Sequence, residues 1–247
     1  MKKYSLGFIS DEDIFEHVKN TVMKYRFQID LNDFNGNLID PVKLTFDSIV
    51  YKKDVEDVIE SEVIRQLDKS NTNHIGYFHQ NIFRFIGRGW TVPNTGYDIV
   101  NQSRKIYVEM KNKHNTMNSS SSRNTYLRMQ DTLIKDPLAT CLLVEVIASK
   151  SQDIPWSFCI DKNKVCHEKI RRVSVDKFYE MVTGDRCAFK NLCESLPGII
   201  EDVVASVSLP EKSNTVLSEL KAIDKNLLKS IYLLSFKTYE GFHGFNI

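Results

Sequence analysis

Apolar positions recur along this chain in two rhythms. From Ile14 to Ile86 they fall mostly three or four residues apart, the spacing that gives a helix one apolar face. Ser10-Asp11-Glu12-Asp13 opens a first helix predicted to reach Lys24, with Ser10 able to cap the amide three residues on. Asn32 to Asn37 is a turn cluster, and Asp40-Pro41 starts a second helix, with Asp40 as its cap and Pro41 at the first helical position. A third helix is predicted from about Asp54 to Asp68 and a fourth from about Asn73 to Ile86, ended by Gly87-Arg88-Gly89. At Trp90 the rhythm shortens. Trp90 to Pro93 is extended, and Gly96 to Val100 and Lys105 to Lys111 are short β-branched and aromatic runs around a polar turn, the pattern of a hairpin.

Asn112 to Arg123 reads as a polar loop containing the run Ser119 to Ser122, followed by a helix from Asn124 to Lys135 that stops at Asp136-Pro137. Ala139 to Ala148 is almost continuously apolar, the signature of a buried central strand reached by a crossover helix. Trp156 to Ile160 and Lys169 to Val173 are two further strands. Helices are predicted over Ser174 to Val182, about Cys187 to Val207 and about Asn214 to Phe236. This order predicts an α/β (α+β) fold: a mixed central β-sheet with a hairpin, flanked by helices. We expect a single domain over 1–247, with an N-terminal helical part (1–50), a core (51–208) and a C-terminal helical part (209–247).

Hydrophobic residues make up 42% of the 247, enough for a packed core. No apolar run approaches a membrane span and no signal-peptide stretch opens the chain, so a cytoplasmic protein is expected. The five cysteines lack zinc-ligand spacing and read as reduced structural thiols. Net charge is only +1, but it is unevenly spread. Residues 1–70 carry ten Lys and Arg against fourteen Asp and Glu, whereas 101–135 carry seven against two. The basic stretch lies on and after the hairpin, where it suits a phosphate backbone.

The hairpin also concentrates the chemistry. Folding back brings Asp98 beside Glu109 and Lys111, and strand alternation puts Glu109 and Lys111 on one face. Two carboxylates and an ammonium at a strand end form a hard-cation site with a basic partner, suited to metal-assisted phosphodiester hydrolysis. In the helix from Asp54, Glu62 falls inside the apolar stripe of Val55, Val58, Ile59, Val63 and Leu67. An ionised Glu there is costly unless paired or metal-bound, which makes Glu62 a further acidic candidate. His79 and Gln80 are placed either to approach DNA or to buttress the hairpin.

Asp98 with Glu109-Met-Lys111, a preceding helix carrying an inward Glu and a following helix-to-strand crossover resemble the PD-(D/E)xK nuclease superfamily. Tyr97 stands where the superfamily has the Pro of its Pro-Asp pair. The stretch from Asn73-His-Ile-Gly-Tyr-Phe-His-Gln80 through Glu109-Met-Lys-Asn-Lys-His-Asn-Thr-Met-Asn118 is similar to type II restriction endonucleases that cut GGNCC or GGWCC sites. So is the later run Phe178-Tyr-Glu-Met-Val-Thr-Gly-Asp185. Together these cover roughly residues 50 to 200.

The resemblance implies a restriction-endonuclease-like core and a Mg²⁺-dependent, site-specific double-strand cut that leaves 5′-phosphate ends. Asp98 and Glu109 would bind one or two Mg²⁺ ions, Lys111 would orient the attacking water or stabilise charge on the phosphate, and Glu62 would complete or orient the metal shell. Lys113, His114, Asn115 and Asn118, with Arg123, Arg128 and Gln130 in the next helix, are the expected DNA contacts, to bases or to phosphates. A palindromic target implies a two-fold homodimer, with Leu217, Leu220, Ile223, Leu227 and Leu228 as a candidate interface or as ordinary core. It also implies a methyltransferase as a genetic partner. The competing readings are another nuclease of the same superfamily, acting in repair, on junctions or on modified DNA, and a non-catalytic DNA-binding protein.

Overall fold

The computed structural model describes residues 3–114, 116–160 and 163–247. In chain order its elements begin with α1 (Asp11–Val22), β1 (Gln28–Ile29), α2 (Leu31–Asn35), α3 (Pro41–Tyr51), α4 (Val55–Asn81) and α5 (Phe83–Ile86). Next come β2 (Trp90–Thr91), β3 (Ile99–Asn101), β4 (Ile106–Lys113), α6 (Ser119–Lys135), β5 (Thr140–Ile147) and β6 (Asp153–Pro155). β7 (Phe158–Ile160), β8 (Asn163–Val165), β9 (Ile170–Ser174), α7 (Val175–Thr183) and α8 (Ala188–Ser206) follow, then β10 (Ser213–Asn214), α9 (Val216–Ile223) and α10 (Leu227–Phe236). The chain divides into two units, one from the segments up to Met23 and Ile75–Val207, the other from Lys24–His74 and Ser208–Ile247.

The first unit is built on a six-stranded mixed sheet of order β2-β3-β4-β5-β9-β6. The expected hairpin is β3–β4, antiparallel, with Ile99 opposite Val108 and Asn101 opposite Ile106. Its turn closes on Asn101, whose fully buried side chain accepts from Ser103 Oγ and the Arg104 amide and donates to the Arg88 carbonyl. From β4 the chain crosses through α6 to β5, which lies parallel to β4, and β9 adds a further parallel strand. Alternation divides the side chains between two cores. Val108, Met110, Leu142, Val144 and Val173 face a cluster that includes Ile14, Phe178, Leu192 and Val203. Cys141, Leu143 and Ile170 pack with Tyr126, Met129 and Leu133 of α6. Glu109 and Lys111, out of phase with Val108 and Met110, therefore lie on the α6 side.

In the second unit Phe34, Leu44, Val58, Ile59 and Val63 pack with Val216, Leu220, Leu227 and Ile231. Of the apolar stripe of the last helices, Leu220 and Leu227 are core and Leu217 packs against it, whereas Ile223 is exposed. No helix among the described residues is long and apolar enough to cross a membrane.

Three local expectations changed. The two helices expected from Asp54 to Ile86 are a continuous α4 followed by the short α5. Ser70 to Asn73 and Gly76 are poor helix formers, but each costs under about 1 kcal/mol, and there is no proline to stop the run. The serine run expected in a loop forms the first turn of α6, because the Asn118 side chain accepts the Ser121 amide at 2.8 Å and caps it. The single C-terminal helix is two. Asn226 caps Lys229, and the Asp224 carboxylate takes the Asn226 amide, so a new helix starts where the first would have continued.

Candidate active site

Asp98 stands one residue before β3 and its Oδ2 accepts the Met110 amide at 2.7 Å. This bond ties the first carboxylate to the strand that carries the second. Glu109 is buried, and Lys111 Nζ donates to its Oε1 at 2.7 Å. The other Glu109 oxygen is taken by Arg128 Nη2 from α6. Arg128 also donates to the Gly96 carbonyl at 3.1 Å and lies over the Tyr97 ring, 4.6 Å from its centroid. One guanidinium therefore fastens the approach to β3 and neutralises Glu109. Burial, then the charge of Glu109, push the Asp98 pKa above the usual carboxylate range, with the Met110 amide, Lys111 and Arg128 only partly offsetting them.

Two carboxylates at a strand end fit Mg²⁺, which takes one or two carboxylates and fills its other positions with water and phosphate oxygens. Among the described residues no group of three or more His, Cys, Asp and Glu could hold a metal ion. Any such ion would rest on the Asp98 and Glu109 pair.

The other sequence candidates are dispersed. Lys113 and His114 are exposed at the end of β4. The adjacent Asn115 lies outside the described residues. Asn118 is exposed and spends its side-chain oxygen on the helix cap. Arg123 is exposed on α6 and Gln130 is half-buried, about 20° apart around the helix, whereas Arg128 is about 140° from Arg123 and faces the carboxylates. Burial, then the neighbouring His17 ring, hold the His79 pKa down to about 4, so that side chain is neutral at neutral pH. Its ring lies edge-on to Phe78 at 5.4 Å.

Glu62 belongs to the second unit, where Arg65 grips both oxygens, at 2.6 Å and 2.5 Å, and Gln66 donates at 3.1 Å. Burial raises its pKa, but the hydrogen bonds from Arg65 and Gln66 outweigh that and the net shift is downward. This local pairing is one of the two fates the sequence allows for a Glu on an apolar stripe. Glu62→Gln is expected to cost roughly 1 kcal/mol in denaturant unfolding and to leave the cleavage rate within about threefold. A side chain in or behind the metal shell would instead lose about 10- to 100-fold or more.

Sequence reasoning missed a buried acid beside the triad. Glu145 of β5 pairs in register with Lys111 and is 1% exposed. Arg172 of β9 donates to its Oε1 through Nε at 2.9 Å and through Nη2, and the same Nη2 donates to the His114 carbonyl at 3.1 Å. The His114 amide also donates to the Ile147 carbonyl at 3.1 Å. The start of the loop after β4 is thus tied to β5 and, one strand further across the sheet, to β9. Glu145 sits in an otherwise apolar run, which gave the only sequence signal.

A mixed sheet with an Asp leading into one hairpin strand and Glu-x-Lys on the other, joined by an Asp-to-amide bond, is the arrangement that the resemblance to PD-(D/E)xK nucleases leads one to expect. The model of the Eco47II restriction endonuclease family matches residues 6–205. The chain is 31% identical over 249 residues to the type II restriction enzyme Sau96I of Staphylococcus aureus, covering 94% of this chain and 95% of that protein. It is 30% identical over 233 residues to the type II restriction enzyme Eco47II of Escherichia coli, covering 85% of this chain and 95% of that one. The chain belongs to the Eco47II restriction endonuclease family and is a type II restriction endonuclease, a site-specific deoxyribonuclease.

Proposed function

We propose that this enzyme makes Mg²⁺-dependent breaks in both strands of a short palindromic, GGNCC-like site and leaves 5′-phosphate ends. The observation that carries this reading is the convergence of Asp98, Glu109 and Lys111, with Lys111 Nζ 2.7 Å from Glu109 and the Asp98 carboxylate on the next amide. Asp98 and Glu109 hold the ion, whose chemistry when bound is to polarise the scissile phosphate and acidify a water. Lys111 places its ammonium where charge builds on the phosphate or where the attacking water is oriented. Arg128 pairs with Glu109 and holds it in place.

The target's two-fold symmetry asks for a homodimer, each subunit cutting one strand. The loop after β4 and the exposed side of α6, with Lys113, His114, Asn118, Arg123 and Gln130, supply the DNA contacts, with a basic excess suited to phosphates. The enzyme acts in the cytoplasm beside a methyltransferase that protects the host's own sites.

Digestion of unmethylated phage DNA, with mapping of the ends, tests this reading. The expected outcome is a discrete set of fragments ending within one GGNCC-type sequence, dependent on Mg²⁺, with Lys111→Ala slower by roughly 10²- to 10³-fold. Undiminished cleavage by Lys111→Ala, or fragments with no shared sequence, would sink it.

A further inference from the structure

The Asp98 carboxylate has a second neighbourhood that the triad does not use. A cavity of about 310 Å³ lies between the end of α4, the short α5 and the segment from Val92 to Asp98. Tyr77, Gln80, Asn81, Arg84 and Asn94 line it together with Asp98. The lining is mostly polar: two amide side chains from one helix turn, an asparagine opposite, a phenol that is 56% exposed, one cation and one anion. The other side of the same segment is closed, because Arg128 holds the Gly96 carbonyl and covers Tyr97. A strand whose phosphate reacts beside Asp98 can therefore continue along this open side.

Arg84 separates this cleft from an ordinary wet surface. The chain's arginines are otherwise engaged: Arg26, Arg65, Arg128, Arg171, Arg172 and Arg186 pair with carboxylates. Arg88 and Arg104 donate to carbonyls, and Arg123 has an interaction of its own. Among the arginines of the described residues, Arg84 alone makes no hydrogen bond, ion pair or ring contact. Gln80, Asn81 and Asn94 likewise make no side-chain hydrogen bond there. An unpaired guanidinium flanked by free amides is a ready-made phosphate receptor, since its planar fork can donate twice to one phosphate.

We propose that this cleft holds the phosphodiester of the cut strand that adjoins the scissile phosphate, with Arg84 gripping its oxygens and Gln80 and Asn81 donating alongside. The proposal rests on the nuclease reading above and names how that site takes up its substrate. Arg84 and the amides are positioning residues: they hold the strand, and Asp98, Glu109 and Lys111 act on it.

The test is single-turnover cleavage of a duplex that the wild type cuts, with enzyme concentration and salt varied. Arg84→Ala is expected to raise the half-saturating enzyme concentration about tenfold, keep the rate at saturation within about threefold, and lower the salt-dependence slope by about one. Arg84→Lys should recover part of the loss. Gln80→Ala, which leaves α5 untouched, should shift saturation in the same direction if Arg84→Ala folds poorly. A scan of neutral methylphosphonates then locates the contact. One position next to the cut should weaken wild type about tenfold and weaken Arg84→Ala no further. Wild-type saturation by Arg84→Ala and Gln80→Ala, or losses that multiply at every position near the cut, overturns the cleft assignment while the nuclease reading stands. A wild type that cuts no DNA at discrete sites overturns both.

Discussion

Asp98→Asn is expected to lower the cleavage rate by at least about 10³-fold and, at neutral pH, to raise the melting temperature. Both effects come from one geometry. The Asp98 carboxylate is desolvated next to Glu109, and the Met110 amide and nearby cations compensate it only in part, so its pKa is raised. A carboxyl whose folded pKa lies above its unfolded one stabilises the fold fully below the unfolded value. That contribution is lost as pH rises through the folded value, and above it the ionised group opposes folding. Asparagine removes the charge and can still accept the Met110 amide through its oxygen. Its advantage should therefore appear at pH 7.5 and shrink towards pH 4.5. The activity side has the opposite sense. If Asp98 holds the metal as proposed, that ion would have to displace the proton, so wild-type cleavage should begin to fall, on acidification, at a higher pH than an ordinary aspartate dictates. Melting curves at the two pH values and cleavage–pH profiles check this. An Asn variant no more stable than wild type at pH 7.5 would mean that the carboxylate is not held at a cost, and one that still cuts would remove Asp98 from the site.

How far the sequence carried depends on how local each determinant is. The hairpin was legible because alternation and a polar turn define it within about a dozen residues, and the crossover followed from one long apolar strand after a helix. The caps at Ser10 and Asp40 were legible for the same reason: the Asp13 amide meets Ser10 Oγ at 3.0 Å and the Lys43 amide meets Asp40 at 3.1 Å. What failed was continuity. The stretch between Asp68 and Asn73 was expected to be a break but was carried through, whereas the short interruption at Asp224 to Asn226 was a real one. Side-chain partnership was the harder problem. Arg128 was expected on DNA, and its pairing with Glu109 was not foreseen, because that contact depends on how α6 lies over the sheet. Glu62 stood on an apolar stripe as expected, but its partner Arg65 is three residues away, a choice that helix periodicity cannot make. The Glu145–Arg172 pair joins strands 27 residues apart and has no local signature.

That pair is where the fold and the loop after β4 can be separated by mutation. Arg172→Met is expected to destabilise the enzyme by roughly 3 kcal/mol, near the low end for a broken buried pair because the Arg172 side chain is 30% exposed. The cost arises from what stays behind. Glu145 is fully enclosed, its Oε2 has no partner, and Oε1 loses both donors. Its register partner on β4 is the cation Lys111, so relief for Glu145 from that side draws on the ammonium that Glu109 holds. Stability and cleavage should therefore fall together in the single variant. Replacing both members, Glu145→Leu with Arg172→Met, removes the buried charge and should restore most of the stability, because an apolar pair of similar volume commonly equals or exceeds a buried ion pair. It does not restore the bond to the His114 carbonyl, which keeps the start of the loop against β9. The double variant should thus unfold in urea near the wild-type midpoint yet cut slowly. Arg172→Met within about 1 kcal/mol of wild type would show that the pair is solvated. A double variant that cuts at the wild-type rate would show that the loop after β4 does not depend on Arg172 for its placement.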